Sequence, residues 1–263
     1  MVIRTLTADD AAVVHSAFLE AFSDYVVPLA PTREQLGEML TRRGYTPEAS
    51  AGVFEGERLV AFTLNGVDGE WGYDSGTGVV PSHRRAGLAR RVMLESMRLL
   101  RERGITRYAL EVLEANRGAI ALYESLGFIV ARGLQCWSLD LRADAAEDTG
   151  EPAAVPASDR DIAPSWQNSD ASLSRARDRH VTVGGRDGSA IVFPNTGDLP
   201  QLVVRRGARR RGVGTRLIHA AATASGKPLR IMNIDERNAG ISQFLESAGA
   251  IRTVRQLEMI REL

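Results

Sequence analysis

Two stretches in the first half of the chain recur near its end, in the same order. The first stretch, TGVVPSHRRAGLARRVM, is matched by QLVVRRGARRRGVGTRLI, which places Gly212 opposite Gly87 after a small insertion. The second stretch, EANRGAIALYESLGF, is matched by ERNAGISQFLESAGA, which places Asn238 opposite Asn116. Chance is a poor explanation for so many matches in one order, and an internal repeat indicates that one structural unit occurs twice. The chain is therefore expected to fold as two copies of one unit.

The segment between the two copies has a different composition from either of them. Residues 142–164, RADAAEDTGEPAAVPASDRDIAP, are rich in alanine, acidic residues and proline, without apolar periodicity. This composition is typical of a solvated linker. We expect a first domain at residues 1–141, a linker at residues 142–164 and a second domain at residues 165–263. The second copy lacks the first strand and most of a two-helix segment.

The first copy alternates strand and helix patterns, which predicts an α/β fold with a mixed sheet. Thr32 and Gln35 form a capping-box pattern at the start of the second helix. The predicted order is β-α-α-β-β-β-α-β-α-β-β. The predicted elements are Val2–Leu6, Ala11–Phe22, Thr32–Arg43, Gly52–Glu55, Leu59–Asn65, Gly72–Val80, Leu88–Arg103, Tyr108–Leu113, Gly118–Leu126, Phe128–Ala131 and Leu134–Leu141.

Composition narrows the class of protein. The 263 residues carry 33 basic and 33 acidic side chains, so nothing global favours a nucleic acid or an anionic membrane surface as a partner. No apolar run is long enough to span a membrane, and residues 1–20 lack a signal-peptide core, so a cytoplasmic protein is expected. The single cysteine, Cys136, permits no internal disulfide and no cysteine-based zinc site. The sequence carries no indication of an oligomeric state.

The segment VVPSHRRAGLAR, from Val79 to Arg90, leads from the end of a strand into a helix. A helix N-terminus presents unpaired N–H groups and a partial positive charge, and Gly87 and Ala89 leave no side chain in the way of a phosphate. The segment lacks the Gly-Lys-Ser/Thr ending of a nucleotide-hydrolysing P-loop and the three glycines of a dinucleotide fingerprint. It therefore predicts a pyrophosphate site that needs no metal.

Two further motifs follow this Arg-x-x-Gly-x-Ala turn: the strand LEVLEAN and the helix ALYESLGF. In this order the three motifs resemble the GNAT superfamily of acyl-coenzyme A-dependent N-acetyltransferases. The resemblance covers residues 1–141. Residues 166–263 resemble the same fold less completely, through Arg209-x-x-Gly212-x-Gly214 and LESAGA. The resemblance implies two tandem GNAT-like domains and the use of acetyl-coenzyme A without a metal.

The resemblance also implies which residues bind coenzyme A. The turn Arg84–Ala89 would hold the pyrophosphate through backbone N–H groups, and the strand end Gly78–Val80 would pair with the pantetheine arm like an added strand. The Val79 N–H would polarise the thioester carbonyl. The expected cofactor-binding residues are Gly78, Val79, Val80, Arg84, Arg85, Ala86, Gly87, Leu88, Ala89, Arg90, Asn116 and Tyr123.

Three residues are expected to move protons. Tyr123 stands where the family often carries the general acid that protonates the departing thiolate. Glu111 and Asp74 are the carboxylates that could take a proton from the attacking amine, directly or through a water chain. A solvated strand face for Glu111 and a hydroxyl at the edge of the core for Tyr123 are the simpler alternatives.

The expected acceptor is a primary amine of a small molecule or a peptide, bound beneath the segment Phe18–Leu36. In that segment Asp24 and Tyr25 could receive a cationic amine. Neither a nucleic acid nor a membrane is an expected partner, because the net charge is zero and the arginine clusters lie at the phosphate corners.

The second copy departs from the motif, since Leu245 stands opposite Tyr123 and cannot donate a proton. We therefore expect the first copy to be catalytic and the second to be structural or regulatory. The alternative is a non-catalytic acyl-coenzyme A-binding sensor, in which both corners are occupied and neither copy turns over.

Overall fold

The computed structural model of the protein describes residues 1–141 and 157–263, which form two compact units. The first unit comprises Met1–Val112, Asn116–Ala131 and Glu258–Leu263, and the second comprises Leu113–Ala115 and Arg132–Leu257. The boundary thus falls inside a strand rather than after residue 141, and the end of the chain belongs to the first unit. There Leu263 donates its backbone N–H to the carbonyl oxygen of Thr106 at 2.8 Å.

The first unit is a sheet with helices packed on both faces. Its elements, in chain order, are β1 (Val2–Thr5), α1 (Ala11–Ala21), α2 (Arg33–Arg42), β2 (Ala51–Glu55), β3 (Arg58–Asp68), β4 (Trp71–Val79), α3 (Leu88–Glu102), β5 (Arg107–Leu113) and α4 (Arg117–Ser125). The strand order is β1-β2-β3-β4-β5, and every pairing is antiparallel except that of β4 with β5.

Strand β3 lies at the centre of the first unit and is buried on both faces. Phe62 and Leu64 pack with Phe18 of α1, whereas Ala61 packs with Val92 of α3. A strand covered on both sides reads as a continuous apolar run rather than as an alternating one, which explains the sequence LVAFTL.

The second unit repeats this arrangement from its first hairpin onward. The remaining elements, in chain order, are β6 (Ile129–Leu139), α5 (Asp170–Arg175), β7 (Val181–Gly185), β8 (Gly188–Phe193), β9 (Asp198–Val204), α6 (Val213–Ser225), β10 (Leu229–Asp235), α7 (Ala239–Ser247) and β11 (Ile251–Glu262). The strand order is β11-β6-β10-β9-β8-β7, and α6 packs Leu217 and Ala221 against Ala190 and Val192 of the sheet. Among the described residues of this unit, the only α-helix before β7 is the short α5.

The predicted mixed α/β fold in two copies is confirmed, but one of the predicted elements is wrong. The capping box is present, since Gln35 donates its backbone N–H to Thr32 Oγ1 at 3.2 Å and accepts the Thr32 N–H at 2.8 Å. The two separate strands predicted at the end of the first copy are instead the single strand β6. A Cβ at Gly133 would lie 2.4 Å from the carboxyl group of Glu236, so this glycine permits a close approach and does not mark a turn.

Residues 142–156 of the expected linker lie outside the described residues. The described end of the linker is bound to the second unit. Asp161 accepts a hydrogen bond from Arg209 at 2.8 Å, and Arg132 donates to the carbonyl oxygen of Ala163 at 2.7 Å. The composition of this segment is that of a spacer, yet its last residues are held by two arginines.

None of the described helices has the length and apolar character needed to cross a bilayer.

Candidate active site

Strands β4 and β5 separate partway along their length. They pair in parallel from Trp71 to Asp74 of β4, and no described residue of β4 beyond Asp74 pairs with β5. The register of β4 with β3 shifts at the same place, so that Ser75 is an extra residue and forms a β-bulge. The bulge and the end of pairing open a gap at the C-terminal ends of two parallel strands, which is where α/β sheets bind ligands.

Backbone alternation decides which groups of β4 face this gap. Val80 donates its N–H to the carbonyl oxygen of Val60 at 3.0 Å, so Val80 and Gly78 direct their backbone groups toward β3. The N–H and C=O groups of Thr77 and Val79 consequently point to the other side, toward the gap. Of the three strand-end residues expected to pair with a ligand, only Val79 presents its backbone there.

Gly78 has a packing role instead. A Cβ at this position would lie 2.5 Å from Phe62 Cζ and 2.9 Å from the Cβ of Ala21. The glycine therefore lets α1 and the Phe62 ring pack directly on β4, and any larger residue would displace them.

The corner between β4 and α3 contains two residues in the left-handed conformation. Arg85 has φ +66° and Gly87 has φ +73°. Left-handed residues at a helix entry make successive N–H groups converge into a concave anion site, and the start of the helix adds its partial positive charge. A Cβ at Gly87 would meet nothing within 4 Å, so the corner is open at this residue. Leu88 is buried and anchors the helix, while Ala86 and Ala89 add only methyl groups.

Arg84 braces this corner. Its guanidinium donates to both carboxylate oxygens of Asp24 at 2.6 and 2.7 Å and to the carbonyl oxygen of Ala21 at 3.0 Å, and its Nε donates to the Val79 carbonyl oxygen at 3.3 Å. The Arg84 hydrogen bond lowers the pKa of Asp24. Arg84 thus already pairs with the carboxylate of Asp24, a residue expected to receive a cationic amine. Arg90, on the first turn of α3, donates to Ser125 Oγ at 3.0 Å.

The second unit repeats the corner and its brace. Arg210 and Gly212 have φ +61° and +77°, and Arg209 Nε donates to the Val204 carbonyl oxygen at 3.2 Å. Arg209 also donates to Asp161 at 2.8 Å and to the carbonyl oxygen of Asp159 at 2.6 Å. Each bracing arginine lies five residues after the strand carbonyl that it binds. The insertion predicted between the two copies is therefore wrong.

Asp74 is buried at the bulge, with 6% of its surface exposed. Its carboxylate accepts the Gly76 N–H at 2.9 Å and the Thr77 hydroxyl at 2.7 Å. Burial raises the pKa of Asp74 to about 6, against the opposing effects of these two hydrogen bonds, the charge of Arg43 and the nearby Tyr123 hydroxyl. The carboxylate thus holds the bulge in shape.

Tyr123 of α4 lies beside this carboxylate. It is 7% exposed, and its ring packs edge-on against Phe128 with 5.8 Å between the centroids. Burial, followed by the negative charge of Asp74, raises the pKa of Tyr123 well above its ordinary value. The hydroxyl is therefore protonated at neutral pH.

Tyr25 and Asn116 belong to the same group of side chains. Burial raises the pKa of Tyr25, and a hydrogen bond with Asn116 partly offsets this rise. The charge of an ionised Tyr25 in turn contributes to the raised pKa of Tyr123. Asn116 also caps α4, since its Oδ1 accepts the Ala119 N–H at 3.2 Å. The structure brings together Asp74, Asn116 and Tyr123, all expected from the sequence as site residues, with Tyr25.

Glu111 is the first residue of β5 beyond its pairing with β4, which ends at Leu110. Adjacent strand residues face opposite sides of a sheet, so Glu111 lies on the face opposite to Leu110 and its partner Asp74. Its carboxylate accepts the Tyr73 hydroxyl at 2.9 Å, and burial together with the Glu111 charge raises the pKa of Tyr73. The gap therefore has Asp74 on one face and Glu111 on the other.

Sequence reasoning missed Arg43 and Thr77. Arg43, just after α2, donates to the carbonyl oxygen of the bulge residue Ser75 at 2.9 Å, and Thr77 donates to Asp74. No local motif identifies either residue, because their partners lie at a bulge that only the pairing register reveals.

The second unit lacks the titratable groups of the first. The positions of Asp74, Glu111 and Tyr123 are occupied there by Leu199, Asn233 and Leu245, all buried. Asn238 caps α7 as Asn116 caps α4, accepting the Ile241 N–H at 3.2 Å. At these three positions the second unit has no group that can move a proton, although it has kept the corner and the helix cap. In the described parts of the chain, no three His, Cys, Asp or Glu side chains are grouped to hold a metal ion.

Comparison with known proteins agrees with this architecture. Residues 15–128 match the model of the acetyltransferase (GNAT) family. The chain is similar in structure to a GCN5-related N-acetyltransferase from Sphaerobacter thermophilus (TM-score 0.73, 14% identity, 99% of this chain and 95% of that one). It is also similar to a tandem GNAT protein from the clavulanic acid biosynthesis pathway (TM-score 0.65, 18% identity, 99% and 98%). These likenesses show the tandem fold.

In sequence, the chain is 37% identical over 118 residues to a mycothiol acetyltransferase of Thermobispora bispora. The match covers 41% of this chain and 39% of that relative, so it spans about two fifths of the relative's length.

The raised pKa of Asp74 predicts a pH-dependent stability. The folded protein binds this proton more tightly than the unfolded chain, so the contribution is fully present below about pH 4 and is lost as the pH rises through about 6. Asp74→Asn removes this titration but retains an acceptor for the Gly76 N–H. Relative to this variant, the wild type should lose about 3 kcal/mol of unfolding free energy between about pH 4 and about pH 7, as measured by urea denaturation. If the unfolding free energies of the two proteins changed with pH in parallel, the raised pKa of Asp74 would be contradicted.

Proposed function

We propose, on the basis that residues 15–128 match the model of the acetyltransferase (GNAT) family, that this chain transfers an acetyl group from acetyl-coenzyme A to a primary amine. The observation that carries the proposal is a combination found in the first unit alone. An open left-handed corner, a strand gap and a protonated tyrosine beside that gap occur together there. The related protein of Thermobispora bispora, named an acetyltransferase, supports the same chemistry.

The residues of the first unit fit coenzyme A in two places. The corner around Arg85 and Gly87 offers converging N–H groups and no side chain at Gly87, which suits a pyrophosphate. The backbone N–H and C=O groups of Thr77 face the gap and suit an amide of the pantetheine arm, as in strand addition, which leaves the Val79 N–H for the thioester. Acetyl-coenzyme A, when bound, supplies the acetyl group as an activated thioester.

Val79 is the proposed oxyanion donor. Its N–H points away from β3 into the gap, and its carbonyl oxygen is held by Arg84 Nε. A fixed N–H aimed at the thioester oxygen stabilises the negative charge that develops there during attack. Arg84 is a positioning residue in this scheme, because it holds the strand end and the corner in register.

Glu111 and Tyr123 are the proposed proton carriers. The amine must be neutral to attack, and Glu111 takes its proton as the new C–N bond forms. As the C–S bond breaks, Tyr123 gives a proton to the leaving sulfur. The raised pKa of Tyr123 means that the hydroxyl carries its proton at neutral pH and can donate it when the sulfur departs.

Asp74 is assigned a positioning role and not that of the base. Its carboxylate is buried and already accepts hydrogen bonds from Gly76 and Thr77. It holds the bulge that opens the gap and provides a fixed charge beside Tyr123. The first unit is accordingly the catalytic one, and the second unit has a structural or regulatory role.

Replacing Tyr123 by Phe removes the proton donor and leaves the ring. We expect kcat to fall about 100-fold while the Kd for acetyl-coenzyme A changes little, because the hydroxyl acts only as sulfur departs. Thiol release with a panel of primary amines measures the first quantity and calorimetry the second. Tyr45→Phe, another partly buried tyrosine of the same unit, is the matched control and should retain full activity.

An unchanged kcat in Tyr123→Phe would contradict the acid role. Binding of acetyl-coenzyme A by the wild type without thiol release for any amine would favour the sensor alternative.

Replacing Glu111 by Gln tests the base. In Glu111→Gln we expect kcat/KM to be about 100-fold lower at neutral pH, because the amide cannot take a proton from the amine. Glu70→Gln, at an exposed turn of the same sheet, is the control. An unchanged kcat/KM in Glu111→Gln would show that another group is the base.

The corner is tested by paired substitutions at Gly87. Asn and Asp both tolerate a left-handed backbone, so Gly87→Asn and Gly87→Asp differ mainly in charge. We expect Gly87→Asp to weaken acetyl-coenzyme A binding at least about tenfold more than Gly87→Asn does, because a carboxylate repels the pyrophosphate. The same pair at Gly212 should leave thiol release unchanged. If the Gly212 pair showed these effects and the Gly87 pair did not, the second unit would be the catalytic one.

A further inference from the structure

The second unit contains a cleft that the proposed reaction does not use. Its volume is about 740 Å³, within the range of roughly 300–1,000 Å³ that is usual for small-molecule sites. The turn between β7 and β8, the short 3-10 helix Arg206–Ala208 and the first residues of α6 line it. No residue of β9, β10 or α7 lines it, so the cleft is separate from the region between β9 and β10.

Arginine dominates the lining. Five arginines and two aspartates contribute to it: Arg186, Arg205, Arg206, Arg211, Arg216, Asp159 and Asp187. Arg206 lies 3.6 Å from the carboxylate of Asp161, and Asp159 accepts the backbone N–H of Arg206 at 3.2 Å. In the described chain, no carboxylate lies within ion-pair distance of the other four arginines. The cleft therefore has an excess of positive charge.

Arg205 adds a second indication of a ligand. Its Nε is buried and has no hydrogen-bond partner among the described residues. A buried guanidinium nitrogen without an acceptor costs free energy, and native structures rarely leave one unsatisfied. A rotation of the Arg205 side chain that uncovers Nε would allow an oxyanion in the cleft to supply an acceptor.

The first unit shows that the fold does not require these charges. The residues at the positions of Arg205, Arg206 and Arg211 are there Val80, Pro81 and Ala86. The turn that corresponds to Arg186–Asp187 is Gly56–Glu57, and it follows an acidic residue, Glu55. The only basic counterpart is Arg91, opposite Arg216. Two copies of one fold thus differ at this place by a set of arginines.

We propose that this cleft binds a small anion that carries two or more phosphate groups. Guanidinium groups bind phosphate oxygens bidentately, and several converging arginines favour a multiply charged ligand over a single carboxylate. The zero net charge of the chain and the confined volume favour a small molecule over a nucleic acid, which needs an extended basic surface. The site is independent of acetyl transfer by the first unit.

Calorimetric titration of the full chain tests this assignment, with inorganic tripolyphosphate and ADP as probes. In Gly87→Asp, which disables the anion corner of the first unit, tripolyphosphate should still bind at one site. We expect Arg205→Gln to weaken binding about tenfold, and Arg211→Gln combined with Arg216→Gln to weaken it further, since each change removes a charged hydrogen bond. Arg177→Gln removes an exposed arginine of the same unit outside the cleft and should have no effect. The melting temperature of each variant shows whether it is folded.

Three results would overturn the proposal. The first is no binding of either probe by the wild type. The second is loss of tripolyphosphate binding in Gly87→Asp with no change in the cleft variants, which would place the anion at the first unit. The third is tighter binding of a short DNA duplex than of tripolyphosphate, lost in the cleft variants. Because the readout is binding and needs no amine, failure here is distinguishable from failure of the proposed acetyl transfer.

Discussion

A buried carboxylate holds the point at which two parallel strands separate. Asp74 accepts hydrogen bonds from the backbone of Gly76 and the side chain of Thr77, and Arg43 binds the carbonyl oxygen of Ser75 from the other direction. Without these contacts the extra residue of the bulge would have no fixed conformation. The direction of the Val79 N–H, the width of the gap and the surroundings of Tyr123 all follow from this bulge. The raised pKa of Asp74 is the energetic cost of keeping a carboxylate there.

The two units show what the Arg-x-x-Gly corner needs for its shape. In both, the arginine binds the carbonyl oxygen of the strand end and a carboxylate from another segment. In the first unit that carboxylate belongs to Asp24, after α1. In the second unit Asp161, at the end of the expected linker, provides it. The linker end thus replaces the missing helical segment as the partner of the bracing arginine.

The sequence predicted the parts of this structure that are set by local pattern. The tandem repeat, the helices with their caps and the open corner at Gly87 follow from spacing and composition, whereas the place of Tyr123 at the site follows from the resemblance to the GNAT superfamily. The role of Gly133, the occupation of Asp24 by Arg84 and the burial of Asp74 could not be predicted. The first two depend on partners distant in sequence, and the burial of Asp74 depends on a bulge that only the pairing register of the strands reveals.

Residue-resolved amide hydrogen exchange with and without acetyl-coenzyme A tests whether the ligand binds in the gap of the first unit. We expect slower exchange at the Thr77 and Val79 amides and at the corner from Arg85 to Leu88, because these N–H groups would bind the ligand. We expect no change at Val204. Protection confined to Val204 and the second corner, or none at Val79, would contradict the assignment of the gap in the first unit as the acetyl-coenzyme A site.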